Sequence, residues 1–222
     1  MDLQPRTAAV ALDRATLAWR AGELVLIFLL LPLAVRGGLL PGPRLLLLAG
    51  VTAAAVAILH LDPGFRTAAL WSGRLRGEWS GVLLRSAVSA LVIAGLVLWL
   101  QPTRLLAMPR ERPALWLAGL LLYPLLSAWP QEVLYRLFFF RRYAVLFGHG
   151  LGLVIASGLA FAALHLVYPN LVAPLLSLPA GLILAWRYQR AGALGPVWLE
   201  HALYGLLLFS LGLGNFFFDG RG

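Results

Sequence analysis

The feature that most limits the fold of this chain is a series of apolar runs, each long enough to cross a lipid bilayer as a helix. Hydrophobic residues make up 61% of the 222 residues and charged residues only 12%, against about 45–50% and 25% in an ordinary soluble domain. One crossing takes about 20 apolar residues, so seven or eight crossings fit. The sequence excludes a water-soluble globule and predicts an all-α protein, a polytopic membrane bundle of seven to eight transmembrane helices.

Clusters of Arg, Pro and Gly separate the apolar runs and set the predicted spans. No repeat or linker divides the chain, so residues 1–222 are interpreted as a single membrane domain. Segment 131–147 is predicted to be helical but carries too many charges for a plain lipid-facing span. The bundle has eight transmembrane helices if this segment crosses the membrane and seven if it does not. The predicted spans are 23–40, 44–61, 81–100, 114–129, 148–168, 171–187 and 195–214.

The formal charge of +9 raises the question of a nucleic-acid partner. All 18 basic residues are arginines, and they are scattered between apolar runs, whereas phosphate binding requires a basic face. Arginines in short loops of membrane proteins face the cytoplasm and contact anionic lipid. The expected partner of these charges is therefore the lipid bilayer and not nucleic acid. The preference for Arg over Lys suggests a GC-rich prokaryote, whose cytoplasmic (inner) membrane is the expected location.

Some ionisable residues fall inside or at the ends of the predicted spans, where a charge costs several kcal/mol unless it faces protein or water. Arg85 lies near the start of its span, so its side chain is expected to reach the interface by snorkelling. His60 lies at a span end and His149 in a Gly-flanked connection, and both are expected to be interfacial.

Glu132 and Arg136 are four residues apart, which predicts an ion pair on one face of a helix. Pro130 suits a first helical turn, so the helix is predicted to start there and its dipole to favour the Glu132 carboxylate. A structural salt bridge, without a catalytic role, is the alternative interpretation of this pair.

Two histidines complete the candidate site: His165 near the end of an apolar helix and His201 inside the last one. A carboxylate and two histidines can supply a general base, its orienting partner and a donor for a developing oxyanion, which is what attack of water on an amide needs. Such a site also needs a polar cavity, which Tyr135, Asn170 and Tyr204 are candidates to line.

The order of these residues resembles the CAAX protease and bacteriocin-processing (CPBP, or Abi) family of intramembrane proteases. The family signatures are Glu-Glu-x-x-x-Arg, Phe-x-x-x-His and His-x-x-x-Asn/Asp. Their counterparts here are Gln131-Glu132-x-x-x-Arg136, Phe161-x-x-x-His165 and His201. The resemblance covers roughly residues 114–214, which are predicted to form a CPBP-like catalytic core.

The resemblance implies hydrolysis of a peptide bond in a membrane-associated protein or peptide substrate by a glutamate-activated water. Carried over, His165 is the partner of the activating acid, His201 an oxyanion donor and Arg136 the brace of the acidic site. No metal and no other cofactor is expected. Zinc is the alternative, and it would have to use Glu132, His165 and His201 without a His-Glu-x-x-His helix.

Two positions depart from the family pattern: Gln131 replaces the activating Glu, and Gly205 stands where Asn or Asp is expected. A neutral amide cannot accept a proton from water. We therefore expect Glu132 to take the activating role, with Gln131 orienting water or substrate. Tyr204 or Asn170 is the expected replacement for the missing oxyanion donor.

Three alternatives stay open at this stage. The two departures also suit a noncatalytic family member, a peptide-binding scaffold or an immunity-type membrane protein. A proton-coupled transporter is less favoured because the membrane acids are few. A serine route through Ser157 is disfavoured because Ser157 lies in a small-residue packing step.

Overall fold

The computed structural model describes residues 13–71, 73 and 78–217, and in these residues the chain forms helices and no strand. This confirms the predicted all-α class. Of the charged residues that precede the first predicted span, Asp2 and Arg6 lie outside the described residues, whereas Arg14 and Arg20 fall within the first helix. Eight helices, numbered in chain order, are α1 Arg14–Arg36, α2 Arg44–His60, α3 Trp79–Leu100, α4 Ala107–Glu111, α5 Pro113–Phe147, α6 Leu151–Val167, α7 Val172–Ala191 and α8 Leu194–Leu211.

Length and composition make four of the described helices (α1, α3, α5 and α8) able to cross a membrane, and α2 and α6 are shorter apolar helices. Large apolar side chains point outward along the bundle, among them Leu91, Leu121 and Leu175. The charged groups Glu132, Arg136 and Glu200 are instead fully buried. Apolar outside and polar inside is the arrangement that a lipid environment stabilises. The chain is an integral membrane protein.

Helix α5 is one continuous helix of 35 residues, about 50 Å long at the α-helical rise. It joins the predicted span 114–129 to the charged segment 131–147, so that segment is the second part of one long helix and not a separate crossing. The prediction that a helix starts at Pro130 is wrong, and so is the helix-dipole argument for Glu132.

Two wide turns explain how α5 continues through its prolines. Pro124–Ala128 and Val133–Phe138 are π-helical, which changes the hydrogen-bond register on both sides of Pro130. The carbonyl of Pro124 accepts the Trp129 N–H in the first of these turns and also a hydrogen bond from the Trp198 indole at 2.7 Å. The Trp198 contact ties α8 to this turn of α5.

The first helix begins at Arg14, well before the predicted residue 23. Its charged residues are tolerated because Glu23 accepts hydrogen bonds from Arg142 (2.6 and 2.8 Å) and from the Tyr143 hydroxyl (2.9 Å). These contacts tie α1 to the C-terminal end of α5. The charge of Glu23, the first residue of the predicted span 23–40, is therefore balanced by an interhelical ion pair.

The same end of α5 is also tied to the turn that follows α2. Arg141 donates to the Asp62 carboxylate at 2.5 Å, and this hydrogen bond lowers the pKa of Asp62. With both contacts in place, the polar end of α5 is anchored on two sides. The anchored helix carries Glu132 and Arg136 into the core.

Arg85 does not snorkel as predicted: it binds the buried Glu200 carboxylate of α8, with its Nη2 2.9 Å from Oε2. The reason is that Glu200 is fully buried and needs cations within the bundle. Arg187 of α7 donates to Glu200 at 3.3 Å and also binds Glu78, whose pKa it lowers. This network joins α3, α7 and α8. His60 and His149 are exposed, in agreement with their predicted interfacial positions.

Helices α6 and α7 approach closely because glycines face each other between them. A Cβ atom at Gly158 would lie 2.6 Å from Leu182, and one at Gly181 would lie 2.9 Å from the ring of Phe161. Small residues of this kind let membrane helices pack backbone to backbone. The close approach holds Phe161, and with it the following turn that carries His165, against the core.

Substituting Gly181→Val is expected to lower the stability of the folded protein by about 1–3 kcal/mol, because the new side chain must displace Phe161 or the α6 backbone. Thermal unfolding in detergent measures the change. Gly95→Val is the matched control, since a Cβ at Gly95 meets nothing within 4 Å. Equal melting temperatures for the two variants would contradict this account of the packing.

Candidate active site

The centre of the site is a carboxylate that joins two helices. Glu132 of α5 is fully buried, and its Oε1 lies 2.7 Å from Nδ1 of His201 on α8. Its Oε2 lies 3.2 Å from Nε of Arg136, the residue predicted to pair with it. One carboxylate oxygen therefore has a hydrogen-bond partner, and the other lies beside an opposite charge with no aligned hydrogen bond among the described residues.

Arg136 is also fully buried, and it is held by three kinds of contact. Its Nη1 donates to the Ser157 hydroxyl (2.8 Å) and to the Tyr135 carbonyl (3.1 Å), and its guanidinium lies 5.2 Å from the Phe161 ring centre. The Nε and Nη2 atoms have no aligned hydrogen-bond partner among the described residues. The attraction to Glu132 is therefore chiefly that of opposite charges in a low-dielectric interior.

Ser157 braces this cation. Its hydroxyl donates to the Tyr135 carbonyl at 2.6 Å while it accepts from Arg136. Ser157 is fully buried, and both contacts fix its Oγ between α5 and α6. The residue that the sequence suggested to be simple packing thus holds Arg136 in position.

The two ring nitrogens of His201 have different partners, Glu132 and Tyr123. A carboxylate only accepts hydrogen bonds, so Nδ1 carries the hydrogen that points to Glu132. The other ring nitrogen, Nε2, lies 3.2 Å from the hydroxyl of Tyr123 on α5. In the neutral ring, Nε2 has a free lone pair and the Tyr123 hydroxyl donates to it. This is the orientation of an imidazole prepared to accept a proton at Nε2.

His165 lies in the last turn of α6 and does not contact Glu132 through any described hydrogen bond. Its Nδ1 lies 2.9 Å from the Phe161 carbonyl, which accepts and therefore assigns the hydrogen to Nδ1. The Phe161 ring lies against both histidines, with its centre 5.0 Å from that of His165 and 5.3 Å from that of His201. The structure thus pairs the acid with His201, whereas the resemblance implies His165 as its partner.

Gln131 lies next to Glu132 and is also nearly buried, with 7% of its surface exposed. Its amide nitrogen donates to the Ser127 hydroxyl at 2.8 Å. Its Oε1 is buried and has no partner among the described residues. A buried acceptor without a partner is costly, and it is a group that a bound water or a substrate N–H can satisfy.

The two histidines and Gln131 line an open cavity of about 1170 Å³. Glu132 and Arg136 are buried in the protein and do not line this cavity. A smaller apolar cavity of about 120 Å³ adjoins the site between α1, α2 and α5, and it shares Gln131 and His165 with the large one. The larger cavity, of about 1170 Å³, is big enough to accommodate a peptide segment. The charged residues that line the large cavity are Arg36, Arg44, Arg104, Glu111 and Arg112.

Three predicted lining residues have other contacts. Asn170 lies two residues before α7, where it accepts from the Ala173 N–H (2.8 Å) and donates to the Phe216 carbonyl (2.9 Å). Tyr204 donates at 2.6 Å to Glu200, the carboxylate that Arg85 and Arg187 bind. Tyr135 lines the small cavity and not the large one. The structure brings neither Asn170 nor Tyr204 to the Glu132–His201 pair.

Sequence reasoning missed Tyr123, which contacts His201. The sequence does contain a signal for it. Tyr123 carries a hydroxyl in an otherwise apolar run, and it lies eight residues, a little over two helical turns, before Gln131. The predicted break at Pro130 hid it, since Tyr123 and Glu132 then fall on different helices. Among the described residues, no group of three or more His, Asp or Glu side chains is arranged to hold a metal ion.

These features define the class of protein: a helical membrane bundle with a buried Glu–His–Arg cluster behind a large cavity. Residues 113–207 match the model of the family described as Rce1-like, type II CAAX prenyl endopeptidase Rce1-like. The match confirms the predicted CPBP resemblance over this segment, which runs from α5 into α8 and contains the whole cluster. It supports a peptidase of the CAAX intramembrane protease kind. Comparisons with curated proteins and with solved structures gave no match.

Proposed function

We propose that this protein is an intramembrane endopeptidase of a prokaryotic inner membrane. It hydrolyses a peptide bond of a membrane-associated protein or peptide with a water that the Glu132–His201 pair activates. The observation that carries the proposal is the 2.7 Å contact between Glu132 and His201 Nδ1, while His201 lines the cavity and its Nε2 lies against Tyr123, which also lines it. The Rce1-like match over 113–207 supports it independently.

His201 is the general base in this proposal. Both oxygens of Glu132 face protein partners, and the residue does not line the cavity. A water in the cavity therefore meets His201 Nε2 before it meets the acid. Arg136 balances the charge of Glu132, so a neutral His201 leaves the cluster neutral, as a low-dielectric interior favours. Glu132 then fixes the tautomer and the orientation of the imidazole, the role of the acid in a Ser-His-Asp triad.

The reaction is a simple hydrolysis in two steps. His201 Nε2 takes one proton from water while the water oxygen bonds to the peptide carbonyl carbon, and the C=O π electrons move to the oxygen to give an oxyanion. When the oxyanion collapses, the C–N bond breaks and the leaving nitrogen takes the proton from His201. The enzyme returns to its starting state with no net change in protons.

His165 and Gln131 position the reactants. The Nε2 lone pair of His165 accepts a hydrogen bond from the attacking water or from a substrate N–H. The unpartnered Oε1 of Gln131 accepts a second N–H of the peptide backbone. The neutral amide has no role in proton transfer. In this proposal Gln131 binds the substrate, and the reaction does not need a Glu at position 131.

The test is cleavage in detergent and in liposomes by purified protein. The family description names CAAX prenyl endopeptidases, so the first probe is a fluorogenic prenylated peptide that ends in a C-a-a-X sequence. The second probe is the same peptide without the prenyl group, carried on a transmembrane anchor. We expect cleavage by the wild type and strong loss in Glu132→Ala and His165→Ala. Equal cleavage by all three proteins would contradict the proposal.

A noncatalytic peptide-binding scaffold is the second candidate, and Gln131 is the observation that favours it. Restoring the family residue with Gln131→Glu separates the two. We expect the wild type to cleave already, and the variant to change its rate by less than about tenfold, because His201 rather than residue 131 takes the proton.

Gln189→Glu is the matched control for this substitution, since it makes the same chemical change at the far end of α7, where the side chain binds the His149 carbonyl. Rates are measured on the same probe for all three proteins. Cleavage that appears only in Gln131→Glu would show that the natural protein is a binder.

A further inference from the structure

We propose that Tyr123 is a further catalytic residue of this site and that its hydroxyl donates the hydrogen bond that stabilises the oxyanion. The inference rests on the proposed function. It is carried by two independent observations, the contact between Tyr123 and His201 and the absence of a side chain at Gly205.

Gly205 has no side chain, and this leaves the space that Tyr123 occupies in the site. It lies four residues after His201 on α8, so the two residues share one face of the helix. A Cβ atom at this position would overlap the hydroxyl and the adjoining ring carbons of Tyr123. The residue that lacks a side chain and the tyrosine that fills the space are therefore matched. Any larger residue at 205 would push the hydroxyl away from His201.

The ring of Tyr123 is held in place on two sides. It packs edge to face against Phe209, with 5.5 Å between ring centres, and against His201 at 6.2 Å. Its hydroxyl lies 3.2 Å from His201 Nε2, and the residue lines the large cavity. A polar group fixed in this way needs little reorganisation during the reaction, which is the condition for effective electrostatic stabilisation.

The position of the hydroxyl fits the chemistry of an oxyanion donor. In the resting site the hydroxyl donates to Nε2. When the attacking water takes Nε2 as its acceptor, the hydroxyl is free to donate to the substrate carbonyl oxygen beside that water. Base and donor then lie within hydrogen-bond reach of one reacting group. Tyr123 keeps its proton throughout and only shares it in the hydrogen bond.

The first measurement is the kinetics of Tyr123→Phe, which removes the hydroxyl and keeps the ring. We expect kcat to fall about 10²–10³-fold, with KM and the melting temperature close to the wild-type values. Tyr143→Phe is the matched control, because its hydroxyl binds Glu23 at the other end of α5. We expect that variant to keep the wild-type kcat.

The second measurement is a rescue. Tyr123→Ala removes the ring and makes room at position 205, so Gly205→Asn in the same chain can place an amide donor near His201. We expect the double variant to recover at least tenfold in kcat over Tyr123→Ala alone. Gly205→Ala alone is expected to lower kcat while Tyr123 is intact, because the added methyl group displaces the hydroxyl.

A third measurement does not depend on activity. Nitrogen-15 NMR of histidine-labelled protein in detergent is expected to show a shift of the His201 Nε2 resonance in Tyr123→Phe and none in Tyr143→Phe. An unchanged resonance, or an unchanged kcat in Tyr123→Phe, would overturn the inference. Equal cleavage by wild type and Glu132→Ala would instead overturn the proposed function, so the two failures are distinguishable.

Discussion

Replacing His201 with Ala is expected to lower kcat for peptide hydrolysis by about 10⁴-fold or more, because removal of the acid or the base of a triad costs at least that much. The reason is that a carboxylate orients the His201 ring through Nδ1, which leaves Nε2 as the basic atom of a residue that lines the cavity. The measurement is single-turnover cleavage of the prenylated probe by protein in liposomes. His149→Ala is the matched control, since His149 is exposed in the turn before α6.

Glu132→Gln sharpens this prediction because it keeps the size of the side chain. The amide can donate to Nδ1 as well as accept from it, so it no longer fixes the hydrogen on Nδ1 and the ring can present the wrong tautomer to the cavity. We expect a loss of kcat comparable to that of His201→Ala, with KM little changed. A Glu132→Gln protein with wild-type kcat would show that the carboxylate does not act through His201.

Arg136→Met is expected to be the most destabilising single substitution at the site, at about 3–5 kcal/mol, and to abolish activity. It leaves Glu132 as an uncompensated charge in the interior, and it removes the hydrogen bonds to Ser157 and the Tyr135 carbonyl. Thermal or denaturant unfolding in detergent measures the loss. The control is Arg190→Met, whose side chain is exposed over the Trp186 ring.

The double variant Glu132→Gln with Arg136→Met separates charge from packing. If the cost comes from the unpaired carboxylate, the neutral double variant is expected to recover much of the stability and none of the activity. If Arg136→Met alone keeps wild-type stability and kcat, Arg136 does not balance the charge of Glu132, and the argument for a neutral His201 is lost.

The Glu132–Arg136 pair could be predicted from the sequence because it depends on helical spacing alone. Four residues place two side chains on one helix face whatever the rest of the fold does, and the structure confirms the ion pair at 3.2 Å. The relation of Glu132 to the two histidines could not be predicted in this way. It depends on how α5, α6 and α8 are rotated against each other.

Arg85 shows why depth and spacing are insufficient for pairs between helices. The sequence places it near the start of a span, where snorkelling is a sound expectation. The structure places Glu200 of α8 beside it, and the buried carboxylate attracts both Arg85 and Arg187. The Arg85–Glu200 contact joins residues 115 positions apart in the chain, so it depends on the packing of the whole bundle.

Local rules also failed at Pro130. A proline usually favours a helix start, but within this bundle π-helical turns change the hydrogen-bond register on both sides of Pro130 and α5 continues. The continuity has a functional result, because it carries Tyr123 and Glu132 on one rigid element. Both residues then reach His201, one at each ring nitrogen.

The sequence by itself determined that this is an all-α membrane protein, where its ionisable residues lie along the apolar runs and which family its motifs resemble. These properties follow from composition and from the order of residues, because a segment is stable in lipid only if its polar groups are bonded within the protein. The tertiary structure alone decided that Glu132 pairs with His201, that Arg85 pairs with Glu200, and that Tyr123 fills the space at Gly205. Such contacts are set by the rotation and close approach of packed helices, which local spacing does not specify.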